Sequence, residues 1–194
     1  MKPISLADIR NLHEYELERP EFRQRVIALK RHRRVALGPL LTLVFENRDT
    51  VRFQIQEMLR VERIVEPERV QEEIGVYNEL LPRDSEVAAT LFIEVTDPEQ
   101  VQPTLDGFVG LDEPGKLTLT SGGERSLAGF APGQSREDRI SAVHYVRFPI
   151  GETIRRAIEQ RQPVSLTVHH GDYNATAVLA PEAVEELRHD LAQG

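Results

Sequence analysis

The stretch Glu86-Val87-Ala88-Ala89-Thr90-Leu91-Phe92-Ile93-Glu94-Val95 decides the fold. Its apolar residues follow one another with few polar interruptions, which predicts a strand buried inside a sheet. Asp97-Pro98 ends the run and begins a short predicted helix that extends to about Val109. A sheet therefore lies at the centre of the chain, and the elements on either side of this strand decide the class of fold.

The residues before this strand predict mostly helices. Pro20 suits the first turn of a helix and Pro82 stops one, because proline cannot donate a backbone hydrogen bond within a helix. The predicted helices are Glu21–Arg34, Asn47–Val65 and Pro67–Leu81, and the apolar runs Val35–Leu37 and Leu40–Glu46 predict strands around the turn Gly38-Pro39. One face of Pro67–Leu81 is apolar, which is typical of a helix packed on a core.

The residues after the strand predict a β-rich part. The predicted elements are a strand at Leu117–Leu119, a hairpin connection at Ser121-Gly122-Gly123, a strand at Ile140–Ile150, a helix at Glu152–Gln160, a hairpin of Val164–Val168 with Tyr173–Leu179, and a closing helix from Pro181. This order favours an α+β fold over regular βαβ repeats. We expect one compact domain over 1–194, with a mostly helical part (1–82) packed on a mixed or antiparallel sheet from a β-rich part with short helices (83–194).

The composition excludes several classes of site. The 194 residues contain no cysteine, which excludes disulfides, thiolate catalysis, cysteine-bound zinc and protein-bound iron–sulfur clusters. The 24 basic and 32 acidic side chains give a net charge of −8, and an acidic surface disfavours nucleic acid. No apolar run approaches the ~18 residues of a membrane span, and no signal-peptide stretch is evident. We expect a cytoplasmic protein, and the absence of nucleotide- and zinc-binding motifs predicts no cofactor.

The densest cluster of patterned polar residues lies in Val44–Val65. Asn47 is a good N-cap for a helix, on which Val51, Ile55 and Leu59 would belong to an apolar stripe. Glu62 projects near the centre of that stripe, where a carboxylate is costly unless it is paired or protonated. The residues that we select as candidates for binding a ligand or partner are Arg48, Arg52, Gln56, Arg60, Glu62 and Arg63.

This cluster has two interpretations. Arginines and amides would form a pocket for an anionic ligand or for the carboxylates of a partner. Alternatively, the same residues would form a structural ion-pair network that holds a helix to the sheet. The secondary structure is also open, because the alternation of Val51, Phe53 and Ile55 is compatible with a hairpin whose turn is Asn47-Arg48-Asp49.

Two further groups of residues are candidates for binding nucleic acid or a metal ion. Seven basic residues between Arg19 and Arg34 would form a patch for nucleic acid, or simply complement the dipole at the end of a helix. His169 and His170 share a hairpin tip, but alternation sends them to opposite faces, where they make a poor pair of metal ligands. We therefore predict no metal site and consider nucleic acid an unfavoured partner.

Three stretches carry a resemblance to a known family. Gly38–Ile64, Tyr77-Asn78-Glu79-Leu80-Leu81-Pro82 and Ala89-Thr90-Leu91-Phe92-Ile93-Glu94 resemble a bacterial family of similar length that is catalogued only as a domain of unknown function. The resemblance covers nearly the whole chain and implies no activity for any residue. It implies gene neighbourhoods that encode rubrerythrin-like and iron–sulfur oxidoreductase proteins, and hence an accessory role in redox or peroxide defence.

We therefore expect a non-catalytic accessory or protein-interaction module whose partner is a redox protein encoded nearby. A homo-oligomer formed through an exposed apolar face of Pro67–Leu81 is a further expectation. The first alternative is a metal-independent enzyme for a small anionic metabolite, with Glu62 as its base and arginines as clamps. The second alternative is a nucleic-acid binder that uses the Arg19–Arg34 patch.

Overall fold

Helices dominate the first part of the chain and strands the second. The structure, a computed structural model, describes residues 1–136 and 139–192. The α-helices are α1 (Leu12–Arg33), α2 (Arg48–Glu62), α3 (Pro67–Asn78), α4 (Val101–Asp106), α5 (Glu152–Glu159) and α6 (Pro181–Ala192). The strands are β1 (Arg34–Leu37), β2 (Leu41–Phe45), β3 (Glu86–Ile93), β4 (Leu117–Ser121), β5 (Glu124–Leu127), β6 (Gly129–Phe130), β7 (Ser135–Arg136), β8 (Arg139–Ile140), β9 (Val143–Pro149), β10 (Val164–His170) and β11 (Tyr173–Val178).

The strands form two larger sheets with antiparallel ladders. One sheet has the order β1-β2-β3-β9-β6 and the other has the order β11-β10-β4-β5, while β7 and β8 pair separately. As predicted, β3 is the middle strand of its sheet. Val87, Leu91 and Ile93 on one face of β3 belong to the main core, whereas Thr90 on the other face is buried beneath the helices.

A continuous stretch of chain joins the two sheets. Residues 124–127 pair with β4 and residues 129–130 pair with β9, with Ala128 donating to the carbonyl of Leu117 between them. At the opposite side of the sheets, the hydroxyl of Tyr173 donates to the carbonyl of Leu37 at 2.7 Å and accepts from the amide of Leu40 at 3.1 Å. The two sheets therefore enclose one apolar core.

The helices cover this sheet assembly in two groups. Ile154 on α5 and Leu187 on α6 belong to the core between the sheets, while α2 and α3 pack on the outer face of the β3 sheet around a second core that contains Ile55 and Ile74. A third apolar cluster, with Tyr15 and Phe22, lies on α1. Within the described ranges, no helix has both the length and the apolar character that crossing a membrane requires.

The structure confirms the α+β fold and corrects the predicted start of the first long helix. The helix predicted to start at Pro20 is wrong, because α1 begins at Leu12 and continues through Pro20. Asn11 caps it by accepting from the amide of Glu14 at 3.0 Å. Burial of Tyr15 and Phe22 on the two sides of Pro20 explains why the helix continues despite the hydrogen bond that proline cannot donate.

The open question at Asn47–Gln56 is answered in favour of a helix. The side chain of Asn47 accepts from the amides of Asp49 and Thr50, and the hydroxyl of Thr50 accepts from the amide of Asn47, which forms a capping box. Such a cap satisfies amides that would otherwise lack partners at the start of α2. The hairpin alternative is therefore wrong.

Candidate functional site

The first turns of α2 are tied to the N-terminal segment. Arg48 contacts Asp8 at 2.7 Å, and this guanidinium holds the pKa of the Asp8 carboxyl well below its usual range. Gln56, which is 2% exposed, accepts from the amide of Arg10 at 2.6 Å and donates to its carbonyl at 3.2 Å. These contacts hold helix and segment together, and the binding roles of Arg48 and Gln56 stay predictions.

At the end of α2, the exposure of the side chains differs from that predicted by the helical projection. Arg60 contacts Glu16 on α1 at 2.7 Å, whereas Glu62 and Arg63 are exposed. The burial expected for Glu62 is wrong: the buried residues of α2 end at Leu59, and Arg63 after the last helical residue adopts a left-handed conformation that turns the chain. Ile64 then occupies the buried position, and its amide donates to the carbonyl of Leu59 at 2.9 Å. An exposed carboxylate in this position gives no support to a base in a pocket.

Three arginines of the predicted basic patch form ion pairs with carboxylates of the same chain. Arg19 donates to both carboxylate oxygens of Glu57 at 2.7 and 2.8 Å. Arg33 is fully buried, and Arg34 at the end of the patch contacts Glu94 at 3.0 Å. These contacts bury one cation of the patch and pair two others with carboxylates, which lowers the positive charge that a phosphate backbone would meet. The observation gives the nucleic-acid alternative no support.

Arg33 forms a deeply buried ion pair. It donates to the two carboxylate oxygens of Asp190 at 2.6 and 2.9 Å, and to Glu186 at 2.6 Å. Burial alone would lower the pKa of Arg33, but the hydrogen bonds and charges of its two partners outweigh burial and raise it. Burial raises the pKa of Asp190, although the hydrogen bonds from Arg33 act to lower it. Because arginine stays protonated in proteins, we assign a charged pair that links α1 to α6.

A second buried carboxylate belongs to Glu46, which is 4% exposed at the end of β2. It accepts hydrogen bonds from Thr50, from Thr90 at 2.6 Å and from Gln54 at 3.1 Å. These partners are uncharged, and the carboxylate precedes the cap of α2, where the helix dipole favours an anion. Glu46 therefore anchors α2 on the sheet, a role for which its flanking residues give no sequence signal.

A cleft of about 1030 Å³ lies between α3 and the sheet. Tyr77 and Val76 of α3 line one wall, and Leu127 and Phe130 line the other. Val76 is 66% exposed and Leu127 is 51% exposed, although both are apolar. Contiguous exposed apolar surface of this kind marks sites of interaction on a soluble protein. We call this feature the α3 cleft.

Outward-facing residues of β9 form the floor of the α3 cleft. Arg147 contacts Glu86 at 2.8 Å, donates to the carbonyl of Leu81 at 2.9 Å and also donates to the carbonyl of Glu79. The backbone amide of Tyr145 donates to the side chain of Gln134 at 2.9 Å. The floor is therefore fixed to both walls, and the guanidinium within it is already neutralised.

The tyrosines of the cleft are neutral at ordinary pH. Burial, followed by the charge of Glu46, raises the pKa of Tyr145. Burial also raises the pKa of Tyr77, with smaller contributions from Tyr145, Glu73 and Glu62. Two neutral phenols among apolar side chains offer contact area with a polar end that can form hydrogen bonds.

The histidines do not assemble into a metal centre in the described part of the chain. His169 contacts Asn174 at 2.7 Å, whereas Nε2 of His170 lies 3.1 Å from the carbonyl of Gly107, so the two rings have different partners. Among residues 1–136 and 139–192, no three histidine, aspartate or glutamate side chains are grouped as metal ligands would be.

His144 makes stability depend on pH. Burial lowers the pKa of its ring, which is 1% exposed and has Nε2 2.8 Å from the carbonyl of Ser141. The unfolded chain, with a histidine pKa of about 6.5, then binds the proton more readily than the folded protein, so the free energy of unfolding falls as the pH drops below that value. We expect wild type to lose more stability than His144→Asn between about pH 7 and about pH 5, in urea unfolding at both values. Equal losses would exclude His144 as the source.

Comparisons with known proteins give a family and a structural relative. Residues 3–191 match the family described as "Protein of unknown function (DUF3501)". A crystal structure of a novel protein of unknown function from Burkholderia pseudomallei K96243 is 30% identical and covers 98% of this chain and 100% of its own, with a TM-score of 0.91. No curated protein matches the sequence.

Proposed function

Because this chain belongs to the DUF3501 family of proteins of unknown function, we propose a function from its own surface: it is a non-catalytic module that binds a partner protein in the α3 cleft. The observation that carries this proposal is the exposure of Val76 and Leu127 on facing walls of one cleft. Aromatic residues, methionine and arginine are enriched at protein interfaces. The same cleft contains Met58, Tyr77 and Phe130 together with two arginines.

The charges of the cleft indicate the chemistry of the partner. Glu73, Glu79 and Glu86 line it with Arg83 and Arg147. Arg83 contacts Glu79 at 3.0 Å and Arg147 contacts Glu86 at 2.8 Å, which leaves the carboxylate of Glu73 in excess. The chain as a whole carries a net charge of −8. Complementarity therefore favours a partner segment with apolar side chains and flanking lysines or arginines.

The same charges disfavour a second copy of this chain as the occupant. Two acidic cleft rims would face each other in a symmetric dimer, and like charges at an interface oppose association. A small anionic metabolite also fits poorly, because the half-buried Arg147 is held by Glu86 and by the carbonyl of Leu81, and the remaining charge of the cleft is negative. An amphipathic helix laid into an apolar groove satisfies the shape and the charge of the cleft.

The proposal extends to the kind of partner. The rubrerythrin-like and iron–sulfur oxidoreductase proteins that the sequence resemblance implies as genomic neighbours are the first partners to test. In this role the chain would be an accessory protein in redox or peroxide defence. A purified neighbour of this type would compete with a peptide for the α3 cleft.

The proposal is tested with two helical peptides that share the same leucines and alanines and differ in carrying lysine or glutamate on the polar face. We expect the lysine peptide to bind more tightly in fluorescence anisotropy. The double variant Val76→Ser/Leu127→Ser should lower the affinity for the lysine peptide by about tenfold or more, since two half-exposed apolar side chains are removed from the interface. Val178→Ser is the matched control, because Val178 is 67% exposed on β11.

Two results would contradict the proposal. The first is equal binding of the lysine and glutamate peptides, or equal binding by wild type and the double variant. The second is a stable dimer in sedimentation equilibrium that Val76→Ser/Leu127→Ser converts to monomer, because the cleft would then be occupied by another copy of the chain.

A further inference from the structure

We propose that a polar recess between α1, α2 and the N-terminal segment binds a small, doubly charged oxyanion through Arg10, Arg25 and Arg52. The recess has a volume of about 280 Å³. It adjoins a second recess of about 270 Å³ that shares Phe22, Arg25 and Arg52 with it. This site is separate from the α3 cleft, whose lining contains none of these arginines.

Arg52 has donors that its protein partners leave unused. Its side chain is 29% exposed, and its contact with Asp49 is long, at 3.5 Å. The guanidinium carbon lies 4.7 Å from the centre of the Phe22 ring, which holds the group at the wall of the recess. Its Nε is shielded from solvent and has no hydrogen-bond partner among the described residues. A buried donor without a partner is costly, and a rotation of the Arg52 side chain toward an anion in the recess that it lines would satisfy it.

The other two guanidiniums pair with exposed carboxylates, and that of Arg25 also lies 5.5 Å from the centre of the Phe22 ring. Arg10 contacts Glu18 at 3.3 Å with both side chains more than half exposed, at 57% and 55%. Arg25 contacts Glu21 at 3.2 Å with exposures of 63% and 81%. Ion pairs of this kind contribute little to stability, so an incoming anion can replace these carboxylates at small cost.

Residues other than the three proposed ligand-binding arginines hold the recess in shape. Buried Gln56 bonds both the amide and the carbonyl of Arg10, which fixes the backbone from which that side chain extends. The carboxylate of Asp8 also lines the recess, but Arg48 neutralises it at 2.7 Å. Of the residues selected from the sequence, Arg52 and Gln56 therefore line this recess and Arg48 supports it.

The arrangement favours a compact anion with two charges. Guanidinium groups donate paired hydrogen bonds to phosphate and carboxylate oxygens, and three of them surround more oxygens than a single carboxylate presents. The doubly charged form of inorganic phosphate is the simplest ligand of this class. A larger phosphate ester would place its remaining atoms in the adjoining recess beside Phe22.

The test compares inorganic phosphate with acetate and chloride at matched ionic strength. We expect phosphate to raise the thermal unfolding midpoint of wild type by more than the other two anions. Arg52→Gln should lose most of that difference. Arg156→Gln should keep it, because the exposed side chain of Arg156 contacts Glu152 at 3.0 Å on α5, away from the recess.

A second measurement keeps the proposal testable if Arg52→Gln folds poorly. In the ¹⁵N spectrum of arginine side chains, phosphate should shift the Nε–Hε signal of Arg52 in the wild-type protein, and Arg25→Gln should weaken the phosphate affinity several-fold. Equal stabilisation by all three anions, or an unmoved Arg52 signal at saturating phosphate, would overturn the proposal. An equally large shift with acetate would also overturn it, because the site would then not require a doubly charged ligand.

Discussion

Arg33→Ala is expected to lower the free energy of unfolding by about 3–5 kcal/mol, because it leaves the buried carboxylate of Asp190 without its cation. Arg33 is fully buried and Asp190 is 8% exposed, so water cannot replace the lost hydrogen bonds easily. Glu186, with its side chain 25% exposed, would lose its partner as well. Urea unfolding followed by circular dichroism measures the effect.

A double variant shows whether Arg33→Ala destabilises the protein through the loss of the ion pair itself or through the unpaired carboxylate that it leaves. Arg33→Met combined with Asp190→Leu removes both charges and keeps apolar volume, and it should be much less destabilising than Arg33→Ala alone. Arg156→Ala on the surface of α5 is the control and should change stability by about 0.5 kcal/mol or less. If Arg33→Ala also stays below about 1 kcal/mol, the buried pair does not have the role assigned to it.

Ile74→Ala is expected to cost about 2–5 kcal/mol, because Ile74 is fully buried where α3 packs on its core. Val76 lies two residues further along the same helix, but it is 66% exposed in the α3 cleft. Val76→Ala should therefore change stability by about 0.5 kcal/mol or less. It should nevertheless lower the affinity for the lysine peptide by about fivefold, since it removes apolar area from the binding surface.

This pair of positions separates folding from binding on one helix. Urea unfolding and fluorescence anisotropy on both variants provide the two readouts. If Val76→Ala reduces stability as much as Ile74→Ala, Val76 belongs to the core and the cleft wall is wrongly placed. If Val76→Ala leaves peptide affinity unchanged, α3 does not contribute apolar contact to the partner.

The sequence predicted the fold where local patterns determine structure. The apolar run at Glu86–Val95 predicted the central strand, and the structure places β3 at residues 86–93. Pro67 and the buried residues Val70 and Ile74 predicted α3 by their spacing alone. Local patterns succeed here because the burial of both faces of β3 and of one face of α3 determines the spacing of apolar residues in each element.

Sequence reasoning failed where burial depends on how a helix ends or on distant partners. Glu62 has the angular position of the apolar stripe, but it is the last residue of α2, and the left-handed conformation of Arg63 redirects the chain so that Ile64 is buried instead. Arg33 and Asp190 are 157 positions apart, so nothing near Arg33 distinguishes it from its exposed basic neighbours. Glu46 was likewise missed, because its partners Thr50 and Thr90 come from different elements.

The α3 cleft could not be predicted because three separate parts of the chain form it. The apolar face predicted for Pro67–Leu81 contains Val70 and Ile74, which are buried, whereas Val76 lies outside that face and is exposed. Leu127 and Phe130 belong to the stretch that passes from one sheet to the other. Only the register of β9 then places Tyr145 between these walls.

The measurement that tests the central claim most directly is amide chemical-shift mapping of the ¹⁵N-labelled protein with the lysine peptide. Binding in the α3 cleft predicts the largest shifts at Val76, Tyr77, Phe130 and Tyr145, from both walls and the floor. The glutamate peptide should leave the same signals in place. The largest shifts at the apolar recess around Leu6 and Val65, or no saturable shifts at all, would contradict the account.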